Sequence, residues 1–152
     1  MEEHRVIIPE ESYAVAKFRQ KELPGVAVIN ESLRDFEPKI VFALHLSVMI
    51  HFDDLIENGM PSQAERDLVD PFCDELEVRI RGPNAQKPNA LFLARITWNA
   101  TRELIWRVYE PEPADTCLKS IIAAKSHPRF FDYIMEHDPE WEKTTWHLQS
   151  CN

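Results

Sequence analysis

The sequence predicts an α+β domain in which two amphipathic helices lie on one face of an antiparallel sheet. Three observations carry this. Residues 41–52 alternate with a period of two, residues 62–81 form a capped pattern of helical period, and two strand-like runs are separated only by Asn99-Ala100. At 152 residues, 44% of them hydrophobic and 28% charged, the chain suits one domain spanning 1–152. Its core is expected at 40–137, with N-terminal strands within 12–32 and a C-terminal segment at 138–150.

Ser12 to Gln20 and Val26 to Ser32 read as the N-terminal strands, the second being also compatible with a short helix. Gly25 after Pro24 marks a turn between them. From Val41 to Phe52, Phe42, Leu44, Leu46, Val48, Ile50 and Phe52 share one face. Val41, Ala43, His45, Ser47, Met49 and His51 share the other. Such alternation packs one face on a core and leaves the other partly open. Asn58-Gly59 is a turn. Ser62 then caps a helix, with Glu65 completing a capping box. Ala64, Leu68, Val69, Phe72, Cys73, Leu76 and Ile80 form its apolar stripe. Glu75 with Arg79, and Glu77 with Arg81, pair on its outer side. Gly82-Pro83 ends the helix and opens a loop to Asn89.

Leu91–Trp98 and Thr101–Tyr109 are rich in strand-favouring residues, and their short connection makes them a hairpin. A second helix follows Pro113, with Cys117, Leu118, Ile121, Ile122 and Ala124 as its stripe, and stops at His127-Pro128. Phe130 to Glu136 is a further strand. Asp138-Pro139-Glu140-Trp141 reads as a helix start, with Asp138 as N-cap. The order strand-helix-strand-strand-helix-strand is that of a ferredoxin-like sheet, here with extra N-terminal strands.

Arg95 to Glu103 (Arg-Ile-Thr-Trp-Asn-Ala-Thr-Arg-Glu), Trp106-Arg107-Val108-Tyr109 and the closing Asp138-Pro139-Glu140-Trp141 resemble a bacterial family of uncharacterised domains over roughly Ser12 to Leu148. More remotely, the Asp-Pro-Glu-Trp ending and the α+β pattern resemble regulator of ribonuclease activity B, which binds and inhibits ribonuclease E. The nearer likeness implies a fold. The remoter one implies a non-enzymatic, acidic protein that binds another protein. Members of the nearer family often carry Gly where this chain has Ala100. Alanine is awkward at positive φ, so the resemblance implies a different hairpin turn here.

Net charge is −9, and the basic residues are interleaved with acids. No basic stripe is present to displace counterions, which argues against nucleic acid. The stretch Ile40–Ile50 is too short to span a bilayer, and the opening Met1-Glu2-Glu3-His4 has no basic n-region, so neither a membrane nor secretion is expected. The three cysteines, Cys73, Cys117 and Cys151, have no paired spacing. Cys73 and Cys117 fit helical core patterns, and Cys151 is expected to be exposed. Together these make a reducing cytoplasm the expected location.

No motif outweighs a structural explanation. His45 and His51 share a strand face about 20 Å apart at ~3.3 Å per residue, too far for one metal. Asp67, Asp70 and Asp74 form a helical acidic stripe, which is most simply a solvated face. Asp53-Asp54 is most simply a strand end. Ser47 lies near His45 but has no orienting carboxylate or oxyanion hole marked in sequence. Arg95 with Thr97, and Glu103 with Arg107, would make a cross-strand charge ladder, structural or anion-binding. Trp98, Trp106, Trp141 and Trp146 could anchor a partner, although core packing explains the hairpin pair and Trp141 would pin the C-terminal segment onto the sheet.

The sequence therefore points to a non-enzymatic protein-interaction or regulatory module. The alternative is a small-molecule-binding domain, or an enzyme with a site on the open sheet face. His45, Arg95, Arg107 and Trp141 are the expected ligand- or partner-binding residues. No cofactor or metal is expected. The expected partner is a protein, and a homodimer is compatible with the free edges of the sheet.

Overall fold

The computed structural model describes residues 6–149; His4, residue 150 and Cys151 lie outside them. Six strands are present among the described residues: β1 (Tyr13–Gln20), β2 (Leu23–Asn30), β3 (Leu44–His51), β4 (Ala90–Trp98), β5 (Thr101–Val108) and β6 (Phe131–His137). Three α-helices accompany them: α1 (Gln63–Arg81), α2 (Pro111–Ala124) and α3 (Thr145–Gln149). The strands form one sheet in the order β1-β2-β4-β5-β3-β6, and every neighbouring pair is antiparallel.

The alternation of β3 decides the layering. Leu46, Val48 and Ile50 are fully buried and pack with Leu104, Trp106 and Val108 of β5 and Phe131 of β6. Above them lie Val69, Phe72, Cys73, Leu76 and Ile80 of α1 and Ala114, Leu118 and Ile121 of α2. Both helices therefore cover one face. The helix stripe is narrower than the sequence suggests, since Ala64 and Leu68 are exposed. Pro71 lies inside α1, on its exposed side, where the helix tolerates the lost backbone donor.

Several local expectations are corrected. Lys39–Phe42 is a 3-10 turn, so the strand begins only at Leu44 and Phe42 packs on the opposite side of the sheet. Gly25 is a buried residue of β2, not a turn residue. It faces Phe18 across the hairpin, and a Cβ there would lie 2.1 Å from Phe18 Cζ. The β1–β2 turn is Lys21-Glu22, at φ 50° and 66°. Asn99 and Ala100 adopt φ 46° and 65°, so the β4–β5 turn does place alanine in the left-handed region. Tertiary bonds hold it there: Ala100 N–H donates to Gly59 O (2.8 Å), and Ala100 O accepts from Phe52 N–H (2.8 Å).

The capping box is half formed. Ser62 Oγ accepts from Glu65 N–H (3.1 Å), but the Glu65 carboxylate accepts instead from Asp53 N–H (2.8 Å) and from Arg129 (2.7 and 2.8 Å). With Trp141 at the N-cap position, the 3-10 turn Glu142–Thr144 replaces the expected helix start at Pro139, and Asp138 bonds to that turn from further upstream. Its carboxylate accepts from the Glu142 and Lys143 N–H groups, each at 3.0 Å.

The largest departure concerns the face away from the helices. A second apolar cluster fills much of it: Ala27, Ile29, Leu91, Leu93, Ala94 and Ile105 from the sheet, covered by Leu33, Phe36 and Phe42 of the β2–β3 connection and by Trp141 and Leu148 of the C-terminal segment. Among the described residues that face is open at the β4–β5 hairpin end and along the edge strand β6, where Ile134 is exposed.

Candidate functional site

Strand register sorts the candidate residues by face. With Asn99-Ala100 as the two-residue turn, Arg95 is paired with Leu104 and Thr97 with Arg102, whereas Ile96 is paired with Glu103. Arg95 and Arg102 therefore point to the helix side, where they meet Asp74 (3.3 Å) and Asp70 of α1. Glu103 and Arg107 point the other way. The expected ladder of Arg95, Thr97, Glu103 and Arg107 does not form, and two members of the acidic stripe are neutralised by sheet arginines.

On the face away from the helices, Arg107 is fully buried. Its guanidinium donates to Asp138 Oδ2 (3.0 Å), to Asp138 O and to Phe42 O (3.3 Å), and lies 4.9 Å from the centre of the Trp141 ring. The Trp141 ring stacks on Phe36 (5.5 Å, 10° between planes), and its indole N–H donates to Lys39 O and Phe42 O. Burial pushes the Asp138 carboxyl up, but the Lys143 N–H and the Arg107 guanidinium outweigh it and hold the group below its ordinary value. His45 is the cross-strand neighbour of Arg107. Burial, and then the Arg107 charge, pushes its pKa down to about 4, and burial does the same to His147. His45, Arg107 and Trp141 thus come together, as a clamp beneath the C-terminal segment. Arg95 lies on the far side of the sheet.

Beyond the clamp the sheet carries two further rows toward the hairpin end, in which Ala27 and Gly25 are buried and the other residues are partly exposed. One runs Ala16, Ala27, Ile96, Glu103, Met49, and the next runs Phe18, Gly25, Trp98, Thr101, His51. Trp146 and His147 of α3 form a lip over them. The result is a cleft of about 440 Å³ lined by Phe18, Met49, Ile96, Trp98, Glu103 and Trp146, with Gln20, Thr101 and His147 at its margins. Trp146 is 50% exposed and meets Phe18 edge-on at 5.8 Å. Glu103 Oε2 accepts from Ser47 Oγ at 2.5 Å, so the Ser47 hydroxyl is committed to a carboxylate and not to His45.

The chain belongs to DUF695, a family of unknown function. The family match covers residues 18–146, from the Phe18 wall of the cleft to its Trp146 lip. No curated protein and no solved structure matches the chain. Among the described residues of this DUF695 chain, no group of three His, Cys, Asp or Glu side chains could hold a metal ion, and no helix is long and apolar enough to cross a membrane. Phe18 and Met49 are the cleft residues that sequence reading passes over. Met49 shares the alternation of His45 and Ser47, so its face was legible; the cleft itself depends on where α3 folds back.

Proposed function

We propose that the chain is a non-enzymatic protein-interaction or regulatory module that docks a partner protein at the open, hairpin end of its sheet. The observation that carries this reading is the cleft: a half-exposed tryptophan and three more large side chains, Phe18, Met49 and Trp98, around a concave surface. Exposed aromatics over a concavity are what binding hot spots are made of. The strand order β4-β5-β3-β6, with α1 and α2 as the two crossovers, supports a ferredoxin-like arrangement extended by β1 and β2. A bacterial cytoplasmic setting fits the free Cys73 and Cys117. The remote likeness to regulator of ribonuclease activity B, through Asp138-Pro139-Glu140-Trp141, points the same way. An acidic chain suits a basic protein better than nucleic acid or a membrane surface.

The test is affinity capture with wild-type protein and with Met49→Arg, which fills the cleft with a cation beside Glu103, both first shown to melt alike. A partner held by the wild type and lost by the variant supports the docking surface. Equal recovery of the same partner by both removes the cleft from the reading. A homodimer through this cleft would appear as a Met49-dependent change in sedimentation.

A second reading, small-molecule binding, has its own observation. A notch of about 280 Å³ opens where the β2 pairing ends and β4 runs on with β5 alone beside it, lined by Asn30, Glu77, Arg81, Phe92 and Trp106. The Trp106 indole N–H and Arg81 Nε are buried there without a partner among the described residues. Burial pushes the Glu77 carboxyl up, with the Glu11 charge adding to it. A bound ligand raises the melting temperature by mass action. A metabolite panel that leaves it unchanged would remove this reading.

A further inference from the structure

We infer that the cleft recognises a cationic side chain, the guanidinium of an arginine on a basic segment of the partner. This rests on the docking reading above and deepens it. Charge balance supplies the reason. Four other carboxylates that pack against or border the sheet each hold an arginine: Glu65 with Arg129, Asp70 with Arg102, Asp74 with Arg95 and Asp138 with Arg107. Glu103 has the Ser47 hydroxyl and, among the described residues, no cation.

Its neighbours in the sheet are apolar. Ile96 lies across one hydrogen-bonded edge and Met49 across the other. A carboxylate flanked this way is poorly hydrated on both sides, which strengthens its attraction for an incoming charge. The walls suit the same ligand. Phe18, Trp98 and Trp146 surround the approach to Glu103, and aromatic faces attract a cation through their quadrupole. A guanidinium fits better than an ammonium. It is planar, stacks on an indole, and forks onto a carboxylate whose second oxygen has no hydrogen bond among the described residues. Its three methylenes would lie along Met49 and Ile96. The chain's net charge of −9 steers a basic segment toward this surface.

The experiment uses the full chain, with nuclear magnetic resonance following the indole signals of Trp98 and Trp146. The probes are the capped tripeptide Gly-Arg-Gly and its citrulline counterpart, which keeps the shape and loses the charge. Saturable shifts at both indoles with the arginine peptide are expected, weakened about tenfold with citrulline and about tenfold in Glu103→Gln. Glu103→Gln keeps an acceptor for Ser47, so its melting temperature should match the wild type and exclude a folding defect.

Equal binding of the citrulline peptide, equal binding by Glu103→Gln, or no saturable shift up to about 10 mM peptide overturns the assignment. The two readings fail separately. If a partner is lost by Met49→Arg but fully kept by Glu103→Gln, the cleft docks a partner and the arginine claim falls. If Met49→Arg keeps the partner, the docking reading falls whatever the tripeptide does.

Discussion

At the scale of single residues, buried charge concentrates in Arg107 and Asp138. Removing one partner of a buried pair leaves the other charge unsolvated, so Asp138→Ala should destabilise the fold by about 3–5 kcal/mol in urea denaturation. Replacing both, as in Arg107→Met with Asp138→Ala, should cost less than the sum of the single changes, and a double-mutant cycle reads the difference. His45 and His147 make a different prediction. Their folded pKa of about 4 lies below the ordinary imidazole value, so the unfolded chain binds more protons between about pH 6.5 and about pH 4. The stability they allow is therefore present above that window and is lost as pH falls through it. His45→Leu should flatten the fall in the urea midpoint between about pH 7 and about pH 4.5, by about 1–3 kcal/mol. An unchanged slope would mean that His45 is not buried in its neutral form.

At the scale of elements, two hairpins turn without glycine. Ala100 sits at φ 65°, held by hydrogen bonds from the neighbouring loop. Ala100→Gly should therefore stabilise the protein by about 0.5–1 kcal/mol, measurable as a raised melting temperature. Gly59 has the opposite requirement. It lies at φ 75°, and a Cβ there would sit 3.1 Å from the Ala100 backbone nitrogen, so Gly59→Ala should lower the melting temperature. Elements with strong local periodicity were legible in sequence: β3 by its alternation, α1 by Ser62 and its apolar stripe, the β4–β5 hairpin by its two-residue gap. The side of the sheet taken by Arg95 was also implicit there, because a two-residue turn pairs position 95 with 104 and position 103 with 96. The partner of Glu65 was not. Arg129 lies 64 residues away, and only the tertiary fold brings it to the first turn of α1.

At the scale of the whole molecule, the sheet has two apolar faces and two unlike covers. Helices α1 and α2 cover one face, and their periodicity announces them. The other face is covered by the 31–42 connection and the 138–149 segment, which have no regular period, so an open face was the natural expectation from sequence. The same irregularity hid the cleft, since its lip depends on where Trp146 is set down. A chain ending after His137 would bare Leu33, Phe42, Leu93 and Ile105 and leave Arg107 without its carboxylate. It should bind hydrophobic dyes and lose cooperative melting. A truncated chain that melts as the intact one does would show that the C-terminal cover contributes little.

The clamp also sets an order of events during synthesis. Asp138 and Trp141 leave the ribosome after all six strands, so each growing chain carries a half-finished second core with Arg107 still hydrated. That core closes only when the Asp-Pro-Glu-Trp turn arrives as its stopper. Chains stalled before that point should be recognisable to chaperones and proteases by a greasy sheet surface that the finished molecule no longer shows.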